Sequence, residues 1–193
     1  MFNTTGNITA AADEELMRNT AAGNEQAFDE LYKRHAQKLF GFFYKMLWGN
    51  KQLAEDSVQE VFLKVIRYKE NFDGERSFST WLYAIAYNIC KNEYRKHEMK
   101  NKLSVAPAET ETASGEKAVD LKRFAGAVKK ELNGLDEEKK TLFLLRFEEQ
   151  LSVPEISRIM DVPEGTVKSR IFYLLKYMSE QLKTYQFIHY DTA

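Results

Sequence analysis

The sequence is poor in residues that cross-link, kink or break a chain. Its 193 residues include one cysteine, Cys90, three prolines and nine glycines. A single cysteine excludes an intramolecular disulfide, which fits a reducing compartment, so the cytoplasm is the expected location. No apolar run is long enough to span a bilayer, and the N-terminus lacks the basic leader and apolar core of a signal peptide. Direct membrane insertion is therefore not expected.

The chain also lacks the large positive charge that is typical of nucleic-acid-binding proteins, since its formal net charge is −1. The charges are unevenly placed, however. Residues Asn88–Lys102 carry five cations and two carboxylates, whereas Ser104–Asp120 carries four carboxylates and one lysine. The overall charge therefore conceals a basic stretch that is followed by an acidic one.

What the sequence does contain is helical periodicity. Apolar residues recur at helical spacing, with Ile66 and Trp81 among the expected core positions, and no segment keeps the period-two alternation of a strand. Gly23-Asn24 and Gly49-Asn50 interrupt the pattern. We expect an all-α fold of two small helical domains. Their expected bounds are 13–99 and 121–185, joined by a flexible acidic linker at 100–120 that is almost free of large apolar groups.

A helix-turn-helix pattern lies near the C-terminus. Ser152 and Glu155 have the spacing of a capping box, which starts a short helix at Val153. Asp161-Val162-Pro163 breaks this helix, and Pro163 suits the first turn of the next one. The expected buried stripe of that second helix is Val167, Ile171, Leu174, Leu175 and Met178. Such a helix enters the DNA major groove, but any helical hairpin in a bundle has the same periodicity, so the pattern alone decides nothing.

Four stretches resemble bacterial sigma factors of the extracytoplasmic-function group. They are Leu53–Val65, the loop Phe72-Asp-Gly-Glu, Phe78–Asn88 and Pro163–Ile171. The resemblance covers roughly residues 13 to 184. It implies a two-domain helical transcription initiation factor that binds core RNA polymerase, directs it to specific promoters and helps to open the DNA. The polymerase performs the chemistry, so the chain itself is not expected to be an enzyme.

The resemblance implies that one face of the third helix docks on the clamp coiled coil of the largest polymerase subunit. Asp56 and Glu60 lie four residues apart on this face, with Gln59 and Leu63 beside them. An acidic face suits a basic partner and steers the encounter. Without the family resemblance, a solvated charged surface would be the preferred interpretation.

The resemblance also assigns residues to the minus-ten promoter element. Phe72 and Asn88 match a pocket that holds a base flipped out of the stack, and an amide can both donate and accept hydrogen bonds at a base edge. Phosphate contacts are implied for Lys91, Arg95 and Lys96. Ala84 stands where many family members carry a basic residue, so one such contact is expected to be absent.

The second helix of the helix-turn-helix is implied to read the minus-thirty-five element. Lys168 and Ser169 suit hydrogen bonds to bases or phosphates, and Phe172 suits a thymine methyl group. Other implied DNA contacts are Arg146, Thr166, Arg170 and Tyr173. Fewer cations follow Arg170 than in many family members, which predicts a shallower salt dependence of DNA binding.

Two other functional classes remain possible on the residues alone. One is an ordinary helix-turn-helix regulator with an N-terminal sensing or dimerising domain. The other is a helical enzyme, but His35, His97 and His189 are scattered, and no metal, nucleophile or phosphate-binding motif is present. We therefore expect no cofactor, no metal and no small-molecule substrate. An anti-sigma factor is an expected partner, because it usually restrains proteins of this group.

Overall fold

The computed structural model describes residues 8–103 and 119–183, and these residues form α-helices and no β-strand. The first domain contains α1 (Asp13–Ala21), α2 (Glu25–Met46), α3 (Lys51–Arg67) and α4 (Phe78–Leu103). The second domain contains α5 (Val119–Gly134), α6 (Glu137–Phe143), α7 (Val153–Met160) and α8 (Glu164–Gln181). The predicted all-α fold is thus confirmed. Most of the predicted linker, residues 104–118, lies outside the described residues, and α4 continues into its first few residues.

Glycine and asparagine pairs separate the first three helices, as predicted. Gly23 and Gly49 have φ angles of +91° and +74°, which glycine adopts without steric cost. The side chain of Asn24 then accepts a hydrogen bond from the Ala27 amide, and Asn50 does the same for Leu53. Each cap contributes about 1 kcal/mol to helix stability. Both helix starts are therefore encoded by local sequence.

A charged cluster joins α1 to α2. Asp13 is the first residue of α1, and its carboxylate faces α2. It accepts a hydrogen bond from Arg34 at 2.8 Å and lies 2.6 Å from His35 Nε2. The bond to His35 is the largest cause of the lowered pKa of Asp13. This cluster fixes α1 over a core that includes Leu16, Phe42, Phe43 and Phe78.

The second domain changes its helical pitch in its middle. Helix α6 ends at Phe143, and the chain continues as a π-helical turn over Leu144–Glu148. Asp136 caps the start of α6 by accepting a hydrogen bond from the Lys139 amide at 2.8 Å. The wider turn leaves both Leu144 and Leu145 fully buried. Helical periodicity in the sequence cannot reveal such a change of pitch.

The helix-turn-helix is confirmed. Ser152 and Glu155 form the capping box in both directions, and Asp161 ends α7 in the left-handed conformation. The Ser157 hydroxyl closes the turn by donating to the Val162 carbonyl at 2.6 Å. Pro163 caps α8 rather than occupying its first turn. Leu175, expected in the buried stripe, is 46% exposed.

The two domains pack against each other and share one hydrophobic core. The largest contact joins α4 to α7, and α6 touches both α2 and α4. Cys90 of α4 is completely buried. Within the two described ranges, no helix combines the length and the hydrophobicity needed to cross a membrane.

Candidate nucleic-acid and protein interfaces

The predicted polymerase-binding residues share one exposed face of α3. The opposite face, which includes Val58, Val61 and Val65, is buried, and this turns Asp56, Gln59, Glu60 and Leu63 outward. Asp56 accepts a hydrogen bond from Gln52 at 3.0 Å, and Glu60 lies 3.3 Å from Lys64. Such exposed pairs contribute little to stability. These charges are therefore available to a partner.

An apolar surface continues this face. Leu63 is 70% exposed, and Ile66, expected in the core, is 42% exposed one turn further along. Tyr32 of α2 is also exposed and packs its ring 4.7 Å from that of Phe62. The face therefore combines carboxylates with apolar side chains, as protein-binding surfaces commonly do.

The loop before α4 is held by its own polar groups. Asp73 accepts a hydrogen bond from the Glu75 amide at 3.1 Å and pairs with Arg76 at 3.0 Å. Glu14 of α1 accepts the Phe78 amide at 2.9 Å, which ties the start of α4 to the first helix. The loop is thereby fixed beside α4.

Phe72 packs at the start of α4. Its ring lies 5.4 Å from that of Trp81 and 5.9 Å from that of Phe78. Phe72 and Trp81 are both half-buried, so Trp81 is only partly in the core that was expected to contain it. The two rings leave aromatic surface accessible where a base could stack.

Asn88 lies two helical turns beyond Trp81. Residues seven apart return to the same side of an α-helix, so Trp81, Asn88 and Arg95 form one stripe along α4. Asn88 and Arg95 are both exposed. The helical rise separates Asn88 from Trp81 by about 10 Å along the axis. The predicted pocket of Phe72 and Asn88 stays a prediction.

The predicted phosphate-binding lysines of α4 are engaged with neighbouring side chains. Lys91 Nζ lies 4.9 Å above the centre of the Tyr87 ring, and Lys96 donates to Glu93 at 2.5 Å. The Glu93 bond raises the pKa of Lys96, which keeps its ammonium group charged. Both lysines border the stripe of Asn88 and Arg95.

The outward face of α8 is mainly aromatic. Phe172 and Tyr173 are 65% and 67% exposed, with ring centres 5.5 Å apart. Lys168 and Ser169 lie one turn earlier and are also exposed. The buried residues Val167, Leu174 and Met178 hold the opposite side of the helix. Four of the predicted DNA-contacting residues thus lie together.

The remaining predicted DNA contacts in the second domain are bonded to neighbouring groups or half-buried. Arg146 donates to the Leu151 carbonyl at 3.0 Å, so it supports the connection to α7. Arg170 pairs with Glu138 of α6 at 3.0 Å and is half-buried, as is Thr166. Their predicted roles in DNA binding remain predictions.

Sequence reasoning missed two tyrosines of α4 that face the second domain. Tyr83 and Tyr87 are almost completely buried. Burial raises the pKa of Tyr87 to about 12, with smaller effects from Glu137 and Glu138. The four-residue spacing of the tyrosines was a visible signal of a buried helical face, but it did not identify what covers them.

Two family profiles match separate parts of the chain. The profile of sigma-70 region 2 matches residues 31–99, in the first domain. The profile of sigma-70 region 4 matches residues 125–178, in the second domain. The two matches occur in the order that the resemblance predicted.

Curated relatives match over almost the whole chain. The ECF RNA polymerase sigma factor SigW of Bacillus subtilis is 31% identical, and the match covers 88% of this chain and 96% of SigW. The RNA polymerase sigma-H factor of Pseudomonas aeruginosa is 32% identical, with coverages of 86% and 91%.

Solved structures show the same fold. CnrH, in complex with the cytosolic domain of CnrY, gives a TM-score of 0.68 at 23% identity and covers 90% of this chain and 99% of its own. The sigma factor RpoE of Bartonella quintana, in complex with the anti-sigma factor NepR, gives 0.66 at 23% identity, with coverages of 81% and 96%. The predicted family is confirmed: the chain belongs to the extracytoplasmic-function group of RNA polymerase sigma factors and is a transcription initiation factor.

Proposed function

We propose that the first domain, residues 13–99, binds core RNA polymerase through α3 and reads the minus-ten element through α4. The second domain, residues 121–185, reads the minus-thirty-five element, and residues 100–120 connect the two. The polymerase supplies the catalysis, and this chain supplies promoter specificity. The cytoplasm, where polymerase and DNA are found, is the proposed location.

The observation that carries the minus-ten assignment is the exposed stripe of α4. Trp81 and Phe72 offer aromatic surface at one end, Asn88 offers an amide in the middle, and Arg95 offers a cation at the other end. Stacking, hydrogen bonding to a base edge and phosphate neutralisation are the interactions that hold an unstacked strand. Lys91 and Lys96 add phosphate contacts at its border.

The outward face of α8 supports the minus-thirty-five assignment. Lys168 and Ser169 can hydrogen-bond to base edges or phosphates, and Phe172 can pack on a thymine methyl group. Thr166, Tyr173, Arg146 and Arg170 flank this reading face. Arg170 would have to release Glu138 before it could bind a phosphate.

The mixed acidic and apolar face of α3 supports polymerase binding. Asp56→Lys with Glu60→Lys should weaken binding to core polymerase at least tenfold, because like charges at a steered contact cost several kcal/mol. The matched control is Glu25→Lys with Asp29→Lys, which makes the same charge change on exposed positions of α2. Equal affinities of the two double variants would mean that the α3 face is only a solvated surface.

An anti-sigma factor is a further proposed partner. Two proteins of the same fold were solved as complexes, RpoE with the anti-sigma factor NepR and CnrH with the cytosolic domain of CnrY. A pull-down of this chain from its native cells should recover both core polymerase and such a partner.

Reconstitution tests the proposed function. The purified chain, added to core polymerase, should start transcription at specific promoters from the native genome, while core polymerase alone should not. Binding to duplex DNA without formation of a holoenzyme would instead identify an ordinary helix-turn-helix regulator.

A further inference from the structure

One face of α1 holds the loop that precedes α4. Glu14 and Arg18 lie four residues apart, so they share this face. Glu14 accepts the hydrogen bond of the Phe78 amide at 2.9 Å, where the loop ends. Arg18 lies against Gly74, in the middle of the loop. The first helix therefore contacts the loop at two points that are far from it in the sequence.

The absence of a side chain at Gly74 allows the close approach of Arg18. A Cβ atom at this position would lie 3.4 Å from Nη1 of Arg18, 3.7 Å from its Cδ and 3.8 Å from its Cγ. A larger side chain at position 74 would therefore displace the guanidinium. Arg18 remains exposed although it packs on the loop, so its charge is accessible from solvent.

Arg18 is carried by a helix whose position is fixed. The Asp13 carboxylate bonds to Arg34 and His35 of α2, and Leu16 and Met17 are fully buried beneath α1. The helix also touches the short turn Lys69–Asn71 that leads into the loop. A ligand that bound Arg18 would have to order little more than the arginine side chain itself, which keeps the entropic cost of binding small.

The charge balance of the loop favours an anion-binding role for Arg18. The loop itself contains the carboxylates of Asp73 and Glu75 and a single cation, Arg76, which pairs with Asp73 at 3.0 Å. Arg18, in contrast, forms no ion pair within the described ranges. A phosphate held at this loop would meet two carboxylates, and the guanidinium of Arg18 supplies the positive charge that offsets them.

The position of Arg18 extends the exposed stripe of α4. Gly74 is two residues beyond Phe72, so their Cα atoms are at most about 7 Å apart. A guanidinium that lies on Gly74 is therefore within reach of a phosphate next to a base stacked at Phe72. Arg95 lies at the opposite end of the stripe, about 21 Å along the helix from Trp81. Cations would thus bind the strand at both ends of the surface that holds its bases.

We infer that Arg18 is a further DNA-binding residue of the first domain. Its guanidinium binds a phosphate of the opened minus-ten strand, next to the base held at Phe72. This inference rests on the proposed function, since it assumes that Phe72 and Asn88 hold that strand. The competing interpretation is a structural role alone, in which Arg18 packs on the loop and never touches DNA.

Arg18→Met separates the two roles, because it keeps the aliphatic contact with Gly74 and removes the charge. The probe is a promoter fragment with a mismatched bubble over the minus-ten element, bound by reconstituted holoenzyme. The variant should bind about threefold to tenfold more weakly at low salt, and the logarithmic salt slope should decrease by about 0.7, the value for one single-strand phosphate. Arg18→Lys should restore the slope. Lys33→Met removes an exposed cation of α2 and should change neither quantity.

Uncharged phosphates locate the contact on the DNA. Each phosphate of the opened minus-ten strand is replaced in turn by a methylphosphonate. Neutralising the phosphate that Arg18 binds should weaken binding by the unaltered chain about threefold or more. The same replacement should hardly affect Arg18→Met, because both changes remove one shared interaction. A purely structural Arg18 would instead give additive losses at every phosphate.

The inference is overturned if Arg18→Met binds the bubble as tightly as the unaltered chain. Weaker binding with an unchanged salt slope, or additive losses at every phosphate, would also overturn it, because either result indicates a structural role. If Arg18→Met loses its helical circular dichroism, Arg18→Gln replaces it in every measurement.

Asn88→Ala in the same assay distinguishes failure of this inference from failure of the proposed function. If Asn88→Ala weakens binding and Arg18→Met does not, only the role of Arg18 is wrong. If neither variant affects binding, the proposed minus-ten role of the first domain is wrong, and the inference about Arg18 fails with it.

Discussion

The helices α4 and α8 present different chemistry to the same polyanion. The stripe on α4 combines an exposed amide, Asn88, with Arg95 and two bordering lysines. The outward face of α8 is dominated by the exposed rings of Phe172 and Tyr173, and its Arg170 is paired with a glutamate. The first surface suits an unstacked strand with accessible base edges, and the second suits apolar edges in a duplex groove.

This difference predicts where specificity and affinity arise. An amide that reads a base contributes to discrimination, whereas lysines and arginines contribute affinity that falls with salt. The first domain should therefore dominate both promoter opening and salt dependence. The second domain should position the polymerase on the promoter, and its DNA affinity should depend only weakly on salt concentration.

Asn88→Ala should have the largest effect. Loss of a two-sided hydrogen bond to a base edge costs about 1–3 kcal/mol, so open-complex formation should fall about tenfold or more. Permanganate footprinting of the promoter with reconstituted holoenzyme measures this loss. Asn133→Ala, at an exposed asparagine of α5, serves as the matched control. Unchanged opening with Asn88→Ala would remove this residue from the site.

Lys168→Ala should have a smaller effect, confined to the minus-thirty-five element. We expect holoenzyme affinity for that element to fall about fivefold, and the logarithmic salt slope to decrease by about one if the contact is to a phosphate. Lys176→Ala makes the same charge change two turns later on α8 and should do less. Equal losses from the two lysines would mean that α8 uses only general electrostatics there.

Tyr173→Arg should make the DNA-binding face of α8 more like that of α4, because it adds a cation. An added guanidinium at this exposed position should tighten duplex binding by the holoenzyme about threefold at low salt and steepen the salt dependence. Gln181→Arg adds the same charge at the end of α8 and should leave both quantities nearly unchanged. A titration of affinity against salt concentration separates the two outcomes.

Asp13→Asn should have the least effect on promoter reading, because it acts on the first domain through stability. The pKa of Asp13 is lowered in the folded chain, so its contribution is present above the ordinary aspartate pKa and is lost as pH falls through the lowered value. The variant should lose about 1–2 kcal/mol at neutral pH. The free energy of unfolding of this variant should also decrease less on acidification than that of the unaltered protein.

Urea unfolding at neutral and acidic pH measures the Asp13 contribution. Asp29→Asn, at an exposed position of α2, provides the control. If both variants lose equal stability at neutral pH, the cluster of Asp13, Arg34 and His35 does not hold α1.

Local features of the fold were predictable because their chemistry lies within a few residues. The breaks at Gly23 and Gly49, the cap at Asp136 and the capping box of Ser152 all depend on neighbouring atoms. The candidate site on α3 was also visible, since four residues on one helical face follow from spacing alone.

Features that depend on distant residues were not predictable. Ile66 and Leu175 have the apolar character of core residues but are exposed, because periodicity does not say whether a face packs inside the chain or against a partner. The bond from Thr80 to Glu155 joins residues that are 75 positions apart. No pattern in the sequence indicated that the two domains pack together, or that a glutamate engages Arg170.

The burial of Cys90 has a practical consequence. Burial raises the pKa of this thiol, which suppresses the reactive thiolate, and Glu137 of the second domain adds to the shift. Because the chain contains no other thiol, a disulfide reagent has a single target. The rate at which such a reagent labels Cys90 would therefore measure how often local opening exposes the buried face of α4. The unaltered protein allows this measurement without an engineered cysteine.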